Sequence, residues 1–139
     1  MQPRLTLVTL GVSDIKRART FYENVFGWEA LPMSNDNVTF FKLNGILLSL
    51  FGEGALAEDA GIDPIGNGFR KFSLAHNVRS EKEVDDLVNT LRTRGATVVK
   101  EPQKVFWGGY SSYVADPDGN LWEIAFNPFL ELDDKSNVL

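Results

Sequence analysis

The chain has 139 residues, 43% of them hydrophobic and 12% aromatic, which is enough for one good core and too little for two ordinary domains. Its 14 basic and 19 acidic side chains give a net charge of −5 with no basic stripe, so nucleic acid is excluded as a partner, because backbone binding rests on Lys and Arg neutralising phosphates. The lack of cysteine removes disulfides and thiolate chemistry. No run approaches the roughly 18 to 20 apolar residues of a membrane span, and a soluble, unprocessed, cytoplasmic protein is expected.

Residues 5–12 alternate loosely as a strand does. Ser13-Asp14 then offers an N-cap to a run whose apolar residues Ile15, Ala18, Phe21, Tyr22, Val25 and Phe26 recur at helical spacing, predicting a helix near residues 14–26. Gly27 stands where a helix ends with positive φ, and residues 28–31 read as extended. Residues 38–43 and 46–51 are strand-like around Asn44-Gly45, a dipeptide suited to a type I′ hairpin turn.

A Gly-, Ala- and Asp-rich stretch, residues 52–68, follows without a clear element. The same order then returns. Residues 69–78 read as strand and residues 81–94 as helix, with Ser80 and Glu83 as a capping box and Val84, Leu87, Val88 and Leu91 as the buried face. Gly95 ends it as Gly27 ends the first. Residues 96–100 are the next strand, and residues 106–115 and 121–126 pair around Asp116-Pro117-Asp118-Gly119, in which Pro supplies a fixed φ and Gly a positive one. That segment is a turn, not a calcium loop, and neither aspartate is assigned a catalytic role. Two copies of one order point to an internal duplication. The expected fold class is α+β, a single domain over residues 1–130 built from two βαβββ modules at about 4–53 and 69–128, with a flexible tail at 131–139.

The segment Leu10-Gly-Val-Ser-Asp-Ile15, followed by Phe21-Tyr22 and Val25-Phe26-Gly27, together with Asp116-Pro-Asp-Gly-Asn-Leu-Trp-Glu123, resembles the vicinal oxygen chelate superfamily of glyoxalases, bleomycin resistance proteins and extradiol dioxygenases. The resemblance implies curved mixed sheets around a shared cavity, and assembly as a homodimer. It also implies a divalent metal held by His, Gln or Glu on the first and last strands of each module. The matching first-strand positions fall on Leu7 and Ser73, and residues 46–51 carry no carboxylate, imidazole or amide. Only Glu123 matches a ligand position, while divalent binding needs at least three protein ligands. No metal or other cofactor is therefore expected; a divalent metal held by other residues is the alternative. The single histidine, His76, lies on the face opposite Ser73, and no nucleophile motif surrounds a serine that could complete a Ser-His-Asp triad.

Alternation puts Lys71, Ser73, Ala75 and Asn77 on one face and Leu121, Glu123 and Ala125 on another. With Leu7, Ser49 and the turn from Trp107 to Tyr110, these are expected to line a largely apolar small-molecule cavity. Trp107 and Tyr110 would stack on a planar ligand, with Gly108 and Gly109 allowing close approach; alternatively they close the barrel end. Glu123, with Lys71 as a possible counter-charge, would serve as an anchor or as a general acid or base, since a carboxyl in a cation-free apolar cavity is disfavoured as an anion. The expected function is small-molecule binding, or enzymology without the superfamily metal. A metal-dependent lyase, isomerase or dioxygenase is the alternative, and a non-catalytic structural or interaction module the third possibility.

Overall fold

The computed structural model describes residues 1, 3, 5–66 and 68–139; Gln2, one of the two glutamines weighed as metal donors, lies outside them. The chain forms two compact units, residues 1–68 and 69–139.

In the first unit the elements are β1 (Leu7–Val12), α1 (Ile15–Asn24), β2 (Val38–Lys42), β3 (Leu47–Gly52) and α2 (Glu53–Ala60). The sheet runs β1-β3-β2, with β1 parallel and β2 antiparallel to β3. Asp14 starts α1 by accepting the Arg17 N–H at 3.0 Å, which satisfies one of the donors a helix N-terminus leaves open. The helix buries Ala18, Phe21 and Tyr22. Beneath it lie the even positions of β1 and β3, Leu10, Val12, Leu48 and Leu50, together with Phe41, each no more than 1% exposed. Burying side chains of this size contributes about 1.5–3 kcal/mol apiece, so this layer fixes which face of the sheet meets the helix. Tyr22 also stacks on Trp28 at 5.6 Å and meets Phe26 edge-on at 5.2 Å.

Three expectations need correction here. The extended segment at 28–31 is not a full strand but a single bridge, Ala30 to Phe41, supported by the Leu31 N–H donating to the Phe40 carbonyl at 2.8 Å. In the Asn44-Gly45 turn only Gly45 has positive φ, 76°; type I′ needs it at both central residues, so the hairpin is closed by another turn type. And the stretch after Gly52 contains α2, which the sequence did not announce. Gly52 gives it no side-chain cap, and it is held by tertiary contact, with Ala57 buried and Leu56 set against Gly11, where an added Cβ would come within 3.3 Å of the leucine.

The second unit contains β4 (Leu74–Val78), α3 (Glu81–Thr93), β5 (Thr97–Lys104), β6 (Tyr110–Ala115) and β7 (Leu121–Phe126). Its sheet runs β4-β7-β6-β5, with β4 parallel to β7 and the other neighbours antiparallel. The pairing repeats that of the first unit: first strand parallel to last, last strand antiparallel to the one before it. Ser80 caps α3 through the Glu83 N–H at 3.2 Å. The Glu83 carboxylate returns to the Arg79 N–H at 3.0 Å, one residue earlier than the capping box expected from sequence. Val84, Val88 and Leu91 are the buried face of α3, which packs on β5, β6 and β7 over Val114, Trp122 and Ile124.

The strand expected over 69–78 begins only at Leu74. Lys71 takes φ 64°, a left-handed conformation that ends extended pairing for a residue with a Cβ. In the segment after β7, Asp133 accepts N–H groups from Lys135 and Asn137, each at 2.8 Å, and Leu132 bridges to Val138. No helix among the described residues is long and apolar enough to cross a membrane.

Candidate functional site

Helix α3 covers one face of the second sheet and leaves the other to the odd positions of β6 and β7. Register decides which residues share that open face. Tyr113 lies directly opposite Glu123, and Glu123 opposite Ala75; on the other side Lys100 of β5 pairs with Tyr113. Directly opposed residues point the same way, so Lys100, Tyr113, Glu123 and Ala75 form one row across four strands. Lys100, Tyr113 and Glu123 are each half-buried.

The groups of this row are coupled. The Lys100 ammonium stands 5.8 Å from the centre of the Tyr113 ring, within cation–π range. The Tyr113 hydroxyl lies near both Glu123 and Ser73. A carboxylate can only accept, so toward Glu123 the phenol can serve only as a donor, whereas toward Ser73 it can also accept. The Tyr113 pKa is raised, first by burial and then by the negative charge of Glu123; the nearby Ser73 hydroxyl opposes this shift and the Glu123 carboxylate, as an acceptor for the phenol proton, adds to it. The result is a carboxylate, a phenol and a serine hydroxyl gathered at one place on the sheet.

The remaining expected site residues fall as follows. Leu7 and Ser49 share a face of the first sheet, since Leu7 pairs with Leu47 and Ser49 with Thr9. Ser49 is buried and its hydroxyl lies 2.8 Å from that of Thr9. Lys71 precedes β4, so strand alternation does not align it with Ser73 and Ala75. Tyr110 is an even position of β6 and goes to the helix side, where its hydroxyl donates to Asp85 of α3 at 2.9 Å, away from the face that holds Tyr113. Trp107 folds back over its own turn: a Cβ on Gly109 would lie 1.9 Å from its ring. The space that Gly109 was expected to open to a ligand is filled by that indole. His76 pairs with Ile124 on the helix side, and desolvation lowers its pKa.

Sequence reading missed Tyr113 and Lys100. The signal was present for Tyr113: once Ala115 and Leu121 close the Asp116–Gly119 turn, antiparallel register puts residue 113 against residue 123. For Lys100 it was not, because β5 slips register on both sides of that residue, and a bulge cannot be counted through. Among the described residues, no group of three or more His, Cys, Asp or Glu side chains is placed to hold a metal ion.

Two α+β units with the same pairing of first and last strands define the class of fold. The chain belongs to the glyoxalase/bleomycin resistance protein/dioxygenase superfamily, whose family model matches residues 4–124. A solved structure described as a glyoxalase-related enzyme from Fulvimarina pelagi is similar over 99% of this chain and 97% of its own, with 34% identity and a TM-score of 0.88. The lactoylglutathione lyase GLX1 of Arabidopsis thaliana is 30% identical over 132 residues, covering 87% of this chain and 43% of that protein; the chain thus spans less than half the length of that relative. The fosfomycin resistance protein FosX of Listeria monocytogenes is 25% identical over 126 residues, 86% of each chain.

Proposed function

We propose that the protein binds a small organic molecule at the open face of its second sheet, with Glu123 as the anchor and without a resident metal ion. The observation that carries this reading is the placement of Glu123 directly opposite Tyr113, with the Ser73 hydroxyl near the same phenol. The donor chemistry at the superfamily positions does not fit a divalent cation: Leu7 has none, Ser49 is committed to Thr9, Ser73 offers only a neutral hydroxyl, and one carboxylate is short of the three ligands such a site requires.

In this reading Tyr113 orients the carboxylate and leaves its second oxygen for a ligand donor. The pair can also hold or move one proton, so the arrangement suits proton transfer on a bound molecule as well as binding alone. Relatives named for lactoylglutathione and for fosfomycin support a small-molecule role. The lyase relative also favours a second reading, metal-dependent lyase chemistry, in which other residues would supply ligands. A homodimer in the cytoplasm completes the proposal. A thermal-shift screen of a metabolite library tests it, since a ligand that binds only the folded state raises the melting midpoint. Hits should lose most of their shift in Glu123→Gln; hits indifferent to that substitution would refute the assignment.

A further inference from the structure

The row on the second sheet carries one anion and one cation that do not pair. Among the described residues Glu123 has no cation within ion-pair distance, and the charge contact of Lys100 is the Tyr113 ring. Their strands are two places apart in the sheet, which sets them roughly 10 Å apart at the usual spacing of about 4.8 Å. Across such a distance in a wet site the two charges attract by only about 0.4 kcal/mol. Neither is neutralised, and the aromatic ring of Tyr113 lies between them.

Resting on the reading of Glu123 as the anchor, we propose that the ligand is a flat organic anion carrying a hydroxyl or amine donor at its far end. Its anionic group meets the Lys100 ammonium, its body lies along Tyr113, and its donor meets the carboxylate oxygen of Glu123 that Tyr113 leaves open. A molecule with an anion alone leaves Glu123 repelling its far end, and one with a donor alone leaves the ammonium unanswered. A ligand with both satisfies two half-buried charges that no described residue neutralises. Half-burial matters, because fully solvated charges gain little from such contacts.

The test is calorimetric titration of the full chain with para-hydroxybenzoate, benzoate and phenol. Para-hydroxybenzoate should bind at least tenfold more tightly than either fragment. Lys100→Met should abolish its advantage over phenol, Lys100→Arg should keep it, and Glu123→Gln should abolish its advantage over benzoate. Melting midpoints near that of the wild type establish that each variant is folded, and the arginine variant covers the case in which the methionine one is not. Equal binding of the three probes, no binding of any, or indifference to Lys100→Met overturns the ligand class. If phenol binding depends on Glu123 while the anion adds nothing, the ligand class falls and the Glu123 anchor stands. If no probe that binds depends on Glu123, both fall together.

Discussion

Replacing Tyr113 by Phe removes one oxygen and leaves the ring that packs between Lys100 and Glu123. The hydroxyl that faces Glu123 and Ser73 is lost. A hydrogen bond to a charged group contributes about 1.5–3 kcal/mol and one between neutral groups about 0.5–1.5 kcal/mol. Tyr113 is only half-buried, so water shares these roles, and a loss of up to about 1 kcal/mol near neutral pH is expected. The pH dependence follows from the raised Tyr113 pKa. A folded-state pKa above that of the unfolded chain means that the folded state holds the proton longer. The contribution is therefore complete below the unfolded tyrosine value of about 10 and is lost as pH rises through the folded value. Urea unfolding of both proteins from neutral to alkaline pH measures this directly. The gap should be largest near neutrality and narrow at alkaline pH. Equal stability at neutral pH, or a gap that stays constant across the range, would refute the Ser73–Tyr113–Glu123 linkage.

Leu50→Ala, in the central strand of the first sheet and fully buried, should cost about 2–5 kcal/mol in chemical denaturation; a cost below 1 kcal/mol would show that α1 does not seal this layer. Gly109→Ala should destabilise by about 1–3 kcal/mol and shift tryptophan emission, because its Cβ meets both the Trp107 ring and, at 2.8 Å, the Phe126 carbonyl oxygen; unchanged emission would mean that the indole is not seated there. His76, its pKa lowered by desolvation, favours the folded state above the unfolded value of about 6.5 and loses that contribution as pH falls through the lower folded value. His76→Gln should accordingly flatten the stability profile over that mildly acidic window, and a profile parallel to the wild type would contradict the assignment.

The parts of the fold legible in the sequence are those in which local chemistry and tertiary packing agree. Asp14 and Ser80 cap the two long helices, and the alternation of residues 121–126 sends Trp122 and Ile124 to the core while Glu123 stays on the open face. Helix α2 escaped because its N-cap is a glycine and only Ala57 of its eight residues is buried, so neither a cap nor a strong apolar stripe announces it. The strand expected over 69–78 was overextended because its apolar residues Phe69 and Phe72 remain exposed and Lys71 turns the backbone. The alternation of the last strand makes Glu123 legible as a position on that face, and Tyr113 opposite it follows only once the turn register is known. Phase along the last hairpin separates Tyr113 from Tyr110, and phase needs the turn register, whereas both tyrosines look alike to composition.

The most direct test of the account is metal content measured together with the melting midpoint, for the wild type and Glu123→Gln, with and without EDTA. Neither protein should carry stoichiometric metal and EDTA should move neither midpoint, with Glu123→Gln as stable as the wild type or modestly more so near neutral pH, because the amide keeps the shape while removing a half-buried charge. Stoichiometric zinc, nickel, iron or manganese in the wild type, lost in Glu123→Gln together with an EDTA-sensitive midpoint, would make Glu123 a metal ligand and contradict the metal-free site.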